Sequence, residues 1–200
     1  VATCDDEIKN FIISIGGEVI MTSKKHERAS DRSYEAMIKL EKRLKKKFDI
    51  IVMIQGDEPM ISSKMIDKSI RPLIKNKKIG VVNIVSKIKD KKEFNDKNCI
   101  KVVQDKNNNA LYFSRSPIPF LQKINKAFIK KQVCSIPFRR DTLKYYFKKK
   151  LSSLEKIESI DMLRFLENGI KVKLVETDKY THAVDTLSDI KKVQKLMKRK

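Results

Sequence analysis

The pentapeptide Gln55-Gly56-Asp57-Glu58-Pro59 combines residue types that suit a site for phosphates and a metal ion. Its two carboxylates offer hard oxygen ligands of the kind Mg²⁺ takes, Gly56 lets the backbone come close to a ligand, and Pro59 stiffens the exit. The same residues would also make a plain turn, because Asp and Pro are turn formers in their own right. A further carboxylate, Asp185, stands far downstream in Val184-Asp185-Thr186. There, too, a second reading is open: Asp or Thr just ahead of an amphipathic stretch over 187–198 is a good helix N-cap.

The elements around these residues decide where they stand. Ile50–Ile54 is an unbroken apolar run and reads as a strand buried on both faces. Open α/β sheets bind ligands just beyond the carboxyl ends of such strands, which is where Gly56 and Asp57 fall. Before it, the pattern predicts a helix over 5–15 closed by Gly16-Gly17, a short strand over 18–21, a polar loop over 22–30 and an amphipathic helix over 31–47. After it come a helix over 63–75 and an apolar strand over 80–85. This alternation implies a doubly wound, mainly parallel sheet. The middle third departs from it: 100–104 and 110–114 flank Asp105-Lys106-Asn107-Asn108-Asn109 and read as an inserted β-hairpin, followed by an extended path through Pro117 and Pro119. A strand over 131–138, helices over 141–149 and 155–168, a strand over 171–176 and a last helix over 187–198 complete a single domain. Val1-Ala2-Thr3 reads as the end of a strand, so at least one upstream strand is expected to be missing.

Composition narrows the classes. The chain has 200 residues, 40% hydrophobic and 36% charged, which suits a folded domain rather than disorder. No stretch approaches the ~20 apolar residues of a membrane span. Cys4, Cys99 and Cys134 form no CxxC pair and fit a reducing cytoplasm, and neither His26 nor His182 has a partner at metal-ligand spacing. The net charge of +21 raises a nucleic-acid-binding reading, with Tyr145-Tyr146-Phe147 beside Lys148-Lys149-Lys150 as a base-stacking cluster. Lysine far outnumbers arginine, however, and is spread along the chain, as on a solvated surface. Three consecutive aromatic residues on one helix also require that at least one face the core.

Taken in order, Gly16-Gly17-Glu18-Val19, Met21-Thr22-Ser23, Asp31-Arg32, Gln55-Gly56-Asp57-Glu58-Pro59, Lys101-Val102-Val103, the run 110–119, Leu154-Glu155-Lys156-Ile157-Glu158 and Val184-Asp185-Thr186 resemble the 3-deoxy-manno-octulosonate cytidylyltransferases (CMP-Kdo synthetases). The run ending in Pro119 is the most specific of them, and the resemblance covers nearly the whole chain. It implies a nucleotidyltransferase that joins CMP from CTP to the anomeric hydroxyl of an ulosonic acid sugar for lipopolysaccharide or capsule. It also implies Mg²⁺ held by Asp57 and Asp185, and a cytoplasmic homodimer built partly from the hairpin region and 117–137. By the same resemblance Gln55, Arg115, Gln132, Glu155 and Glu158 face the sugar, while Ser30, Asp31 and Arg32 lie near the cytidine. For several of these a structural role is the competing expectation: Gln55 as a strand end, Arg115 as a surface residue, Ser30 as a helix cap, and Glu155 and Glu158 as carboxylates favoured near a helix N-terminus.

The chain departs from the family pattern in three places. The arginine- and lysine-bearing loop that holds the CTP phosphates has no counterpart in it. Gln132 stands near a usual histidine, with Ile136 and Phe138 near usual tyrosines. The loop 26–30 lacks the usual Gln-Ser-Gly-Thr. These changes point to a sugar related to 3-deoxy-manno-octulosonate but not necessarily identical with it, and a CMP-nonulosonic acid synthetase is the alternative enzyme.

Overall fold

A computed structural model of the chain describes residues 1–122 and 129–198. Their elements run β1 (Ala2–Thr3), α1 (Asp6–Ser14), β2 (Ile20–Met21), α2 (Ala29–Leu44), β3 (Ile50–Ile54), α3 (Ser63–Lys75), β4 (Val81–Lys87) and α4 (Lys91–Asn95). There follow β5 (Lys101–Gln104), β6 (Ala110–Ser114), β7 (Lys130–Val133), β8 (Ser135–Arg139), α5 (Arg140–Lys148), α6 (Ser153–Glu158), α7 (Asp161–Glu167), β9 (Val172–Glu176) and α8 (Leu187–Met197).

The α/β layering follows from β4. Its first six residues are all buried, so it must be covered on both faces. Val81 and Val85 pack with Met37 of α2, Leu143 and Tyr146 of α5 and Phe165 of α7. Ile84 points the other way, against Met65 of α3. Helices therefore lie on both sides of the sheet, as a doubly wound fold requires.

The expectation of a mainly parallel sheet is corrected. In the seven-stranded sheet β3 and β4 pair antiparallel with β8, β4 and β5 pair antiparallel with β7, and β5 pairs antiparallel with β6. Among the described residues, only β4 and β9 pair in parallel there. The cause lies in the connection. After the hairpin the chain returns along 130–139 directly beside β3 and β4, and only a crossover helix would have restored the parallel direction. β1 and β2 form a separate two-stranded parallel sheet.

Two local expectations also change. The strand over 131–138 is two strands broken at Cys134. The helix over 155–168 is two helices, because Ser159 adopts a left-handed conformation with φ 56° and ends α6. In α1 no residue is buried, and the apolar face carrying Ile8 and Phe11 stays exposed. The hairpin is present, with Asn108 left-handed at φ 57° and Asp105 Oδ1 accepting from the backbone N–H groups of Asn107 and Asn109. Among the described residues no helix is long and apolar enough to cross a membrane.

Candidate active site

The turn after β3 and the segment before α8 are joined directly: the backbone N–H of Val184 donates to the Asp57 carbonyl at 2.8 Å. That bond carries the chain of Asp185 to the Asp57 turn across 127 positions. Asp57 and Asp185 then line one cavity of about 150 Å³ together with Gln55, Glu58, Arg115 and Gln132. The competing role of Asp185 as a helix cap falls away. Thr186 is the N-cap of α8, and Asp189 completes its capping box by accepting from Thr186 N at 2.9 Å. Asp185 is left to face the cavity.

The cavity is electrically unsettled in the direction a cation would relieve. Burial raises the Asp57 carboxyl above its ordinary range, and the Asp185 charge raises it further. Asp185 is raised as well, by burial and then by Asp189 and Asp96. Asp57 Oδ1 is buried without a hydrogen-bond partner, as is Glu58 Oε2. Among the described residues no group of three or more His, Cys, Asp or Glu side chains is arranged to hold a metal ion. Two carboxylates with remaining positions filled by substrate oxygens and water is nonetheless the donor set that Mg²⁺ prefers.

Glu58 gives a pH prediction. Burial pushes its carboxyl up to about 7, against an ordinary value of 4.5, with the N–H of Cys134 opposing the rise. The folded state binds this proton more tightly than the unfolded chain does. The contribution to stability is therefore complete below pH 4.5 and is lost as pH rises through about 7. Glu58→Gln cannot ionise, so its stability relative to wild type should rise between pH 5 and pH 8, by up to about 3 kcal/mol. Thermal denaturation at the two pH values checks this, and a difference that does not vary with pH contradicts it.

Arg115 reaches the cavity from the end of β6 and is held from behind. Its Nε donates to the Glu158 carbonyl at 2.8 Å, and Nη1 and Nη2 to the carbonyls of Lys97 and Ser159. Glu158 supports the same strand end, its carboxylate accepting from Ser114 Oγ and from Arg115 N. Gln132 enters from β7, and its Nε2 donates to Asn83 Oδ1 at 2.5 Å. Asn83 is fully buried and spends its own amide N–H groups on the carbonyls of Ile84 and Val133. This fixes the Gln132 amide with its donor turned inward.

The other expected site residues are placed elsewhere. Glu155 is fully buried, pairs with Arg164 at 2.6 and 2.7 Å and accepts from the Tyr146 hydroxyl. Ser30 is fully buried and donates to Asp161 Oδ2 from both its backbone N–H and its hydroxyl. Asp31 pairs with Arg164 at 3.3 Å. These groups join α2 to α6 and α7. Arg32 donates to Thr22 Oγ1 and lines a second concavity of about 880 Å³, an apolar groove running along β1 and β3 from Val1 to Gln55 and Asp57. The two cavities thus meet at the acidic turn.

This geometry can be set beside known proteins. The family model for cytidylyltransferases matches residues 1–174. A 3-deoxy-manno-octulosonate cytidylyltransferase of Fusobacterium nucleatum is 39% identical over 193 residues, covering 96% of this chain and 77% of that protein. The chain belongs to this family. A second member, from Thermodesulfovibrio yellowstonii, is 40% identical over 98% of this chain and 80% of its own length. Among solved structures, a CMP:2-keto-3-deoxy-manno-octonic acid synthetase complexed with CTP superposes with a TM-score of 0.85 at 33% identity, over 98% of this chain and 78% of that one. A 4-diphosphocytidyl-2C-methyl-D-erythritol synthase from Anaerococcus prevotii shares the fold alone, at a TM-score of 0.59 and 18% identity over 96% of this chain and 74% of that one.

For a cytidylyltransferase the cavity also contains groups that the sequence did not single out. Lys131, buried in β7, donates to Glu93 and to the Thr181 carbonyl at 2.7 Å. Just outside the cavity lining, the Tyr180 ring lies under the Lys89 ammonium, 3.3 Å from its centroid, with the Lys131 ammonium at 4.8 Å. The available signal was the pair Lys130-Lys131 inside a strand: both faces of a buried strand cannot stay polar unless each lysine meets an acceptor. Glu93 sits on α4, a helix too short for periodicity to show.

Proposed function

We propose that this chain transfers CMP from CTP to the anomeric hydroxyl of a 3-deoxy-manno-octulosonate-like sugar acid, for a bacterial envelope polysaccharide. The observation that carries the reading is the meeting of Asp57 and Asp185 beside Arg115 in one cavity. The anomeric hydroxyl gives up its proton to water and its oxygen bonds to the α-phosphorus as the bond from that phosphorus to the bridging oxygen breaks, and pyrophosphate leaves with the electron pair. A displacement of this kind is catalysed mainly by positioning and charge neutralisation.

The chain's residues divide that task. Asp57 and Asp185 would hold Mg²⁺, which when bound supplies neutralisation of the triphosphate charge. Arg115 spends three N–H donors on carbonyls and keeps one on each of Nη1 and Nη2, a pair suited to the sugar carboxylate. Gln132, its donor held by Asn83, presents its carbonyl oxygen to a sugar hydroxyl, and Gln55 lines the same wall. Glu158 serves by holding Arg115, and Glu155 by holding the buried network. The groove along β1 and β3, with Arg32 on its wall, opens onto the same acidic turn and leaves room for the nucleotide beside Asp57. A cytoplasmic homodimer through the hairpin region fits Phe120, which is 91% exposed; residues 123–128 of that region lie outside the described residues.

Pyrophosphate release from CTP with a panel of ulosonic acids tests the function. Release with an octulosonic acid is expected, preference for a nonulosonic acid would move the substrate, and release with none would overturn the reading. Arg115→Ala should raise the KM for the sugar acid by at least tenfold with a smaller change for CTP; equal changes contradict the clamp. The nucleic-acid reading is weakened, since Tyr146 is buried and Phe147 stacks on Tyr34 at 4.3 Å, which leaves Tyr145 and one face of Phe147 exposed.

A further inference from the structure

The break between β7 and β8 falls at Cys134, beside the acidic turn, and is held in an unusual way. The β3–β8 ladder ends with Ile54 opposite Ser135. The next pair would be Gln55 with Cys134, and half of it forms: Gln55 N donates to the Cys134 carbonyl at 3.2 Å. In a regular antiparallel pair Cys134 N–H would return the bond to the Gln55 carbonyl. That carbonyl instead accepts from Glu58 N at 3.2 Å, closing the turn that carries Asp57. The stranded Cys134 N–H is taken by a side chain, Glu58 Oε1, at 2.9 Å.

Glu58 is only 6% exposed, and its other oxygen has no partner. Burying a carboxylate half satisfied costs free energy that a Leu or Met in its place would not. Proline at 59 and glycine at 56 are enough to make a turn, so turn formation does not require this cost. The residue faces the cavity, next to Asp57, and its bond reaches the strand break two positions after Gln132.

We propose that Glu58 is a positioning residue: its carboxylate replaces the missing ladder bond, locks the β7–β8 break against the acidic turn, and so sets Asp57 and Gln132 on the walls of one cavity. The claim rests on the reading of that cavity as the transfer site. It concerns a hydrogen-bond acceptor and not a proton, so Glu58→Gln, which keeps an oxygen at Oε1, should retain the lock, while Glu58→Ala should lose it.

Amide hydrogen exchange at Cys134, resolved by NMR, reads the lock without CTP or sugar. Exchange in E58A is expected at least tenfold faster than in wild type, and in E58Q within about threefold of it. Should E58A fail to fold, Glu58→Asp, one methylene shorter, takes its place. Mn²⁺ binding gives the second readout: Glu58 makes no bond to Asp57 itself and acts through the turn, so E58A should weaken Mn²⁺ by about tenfold, the low end of what supporting contacts contribute, and E58Q by little. Unchanged protection of Cys134 in E58A, equal loss in E58A and E58Q, or a released Cys134 with undiminished Mn²⁺ affinity overturns the proposal. A wild-type protein that binds no Mn²⁺ overturns the reading of the cavity instead, and exchange at Cys134 still decides whether the lock exists.

Discussion

Arg164→Leu should lower the stability of the domain by about 3–5 kcal/mol, the usual consequence of leaving one member of a buried ion pair alone. Arg164 is 3% exposed and its guanidinium meets both oxygens of Glu155 and Oδ1 of Asp31. It also lies over the Tyr146 ring, 3.9 Å from its centroid. Removing it strands a fully buried carboxylate whose remaining contacts are the Tyr146 hydroxyl, the backbone N–H of Ser152 at 3.3 Å and Arg28 Nε at 3.5 Å. For a domain of this size the loss corresponds to roughly 6–20 °C in Tm. The double variant Glu155→Leu/Arg164→Leu should recover most of it, because a buried pair exchanged for apolar groups is often neutral. Thermal denaturation of both variants decides the matter. A double variant as unstable as the single one would mean that the pair matters for its shape and not its charge.

Asp57→Ala and Asp185→Ala should behave in the opposite way, with activity lost and the fold kept. Each is expected to reduce CMP transfer by on the order of 10²–10³-fold or more, the scale set by removing one electrostatic element from a site of charge transfer. Stability without metal should stay level or rise, because each carboxylate is raised by burial and Asp57 additionally by repulsion from Asp185. Near wild-type turnover in either variant removes that aspartate from the site. A large fall in Tm would make its role structural.

Parts of this molecule were legible in its residues for definite physical reasons. Five consecutive apolar residues had to be a strand, with the glycine and carboxylates at its end. The expectation that both its faces are buried is corrected: among the described residues β3 is an edge strand beside the open groove, only Met53 in it is buried, and Ile54 is 43% exposed. The direction of the strand over 130–139 was not legible, because alternation encodes which face is buried and not which way the chain runs. The break at Ser159 carried no glycine or proline, so one helix was expected where two occur. Glu155 and Glu158 illustrate the limit for function. In the helix expected over 155–168 both stand early, where a substrate ligand and a structural carboxylate look alike, although Glu158 is in fact the last residue of α6. Only the fold brings Arg164 onto Glu155 and the hairpin end onto Glu158. With Asp185 the ambiguity was resolved by its neighbour, since Thr186 makes the cap.

The most direct measurement is Mn²⁺ binding, followed by water-proton relaxation with CTP present, in wild type, Asp57→Ala and Asp185→Ala. One tight site in wild type, weakened at least tenfold by either substitution alone, is the predicted result. Wild-type affinity in either variant would mean that these two aspartates do not share an ion.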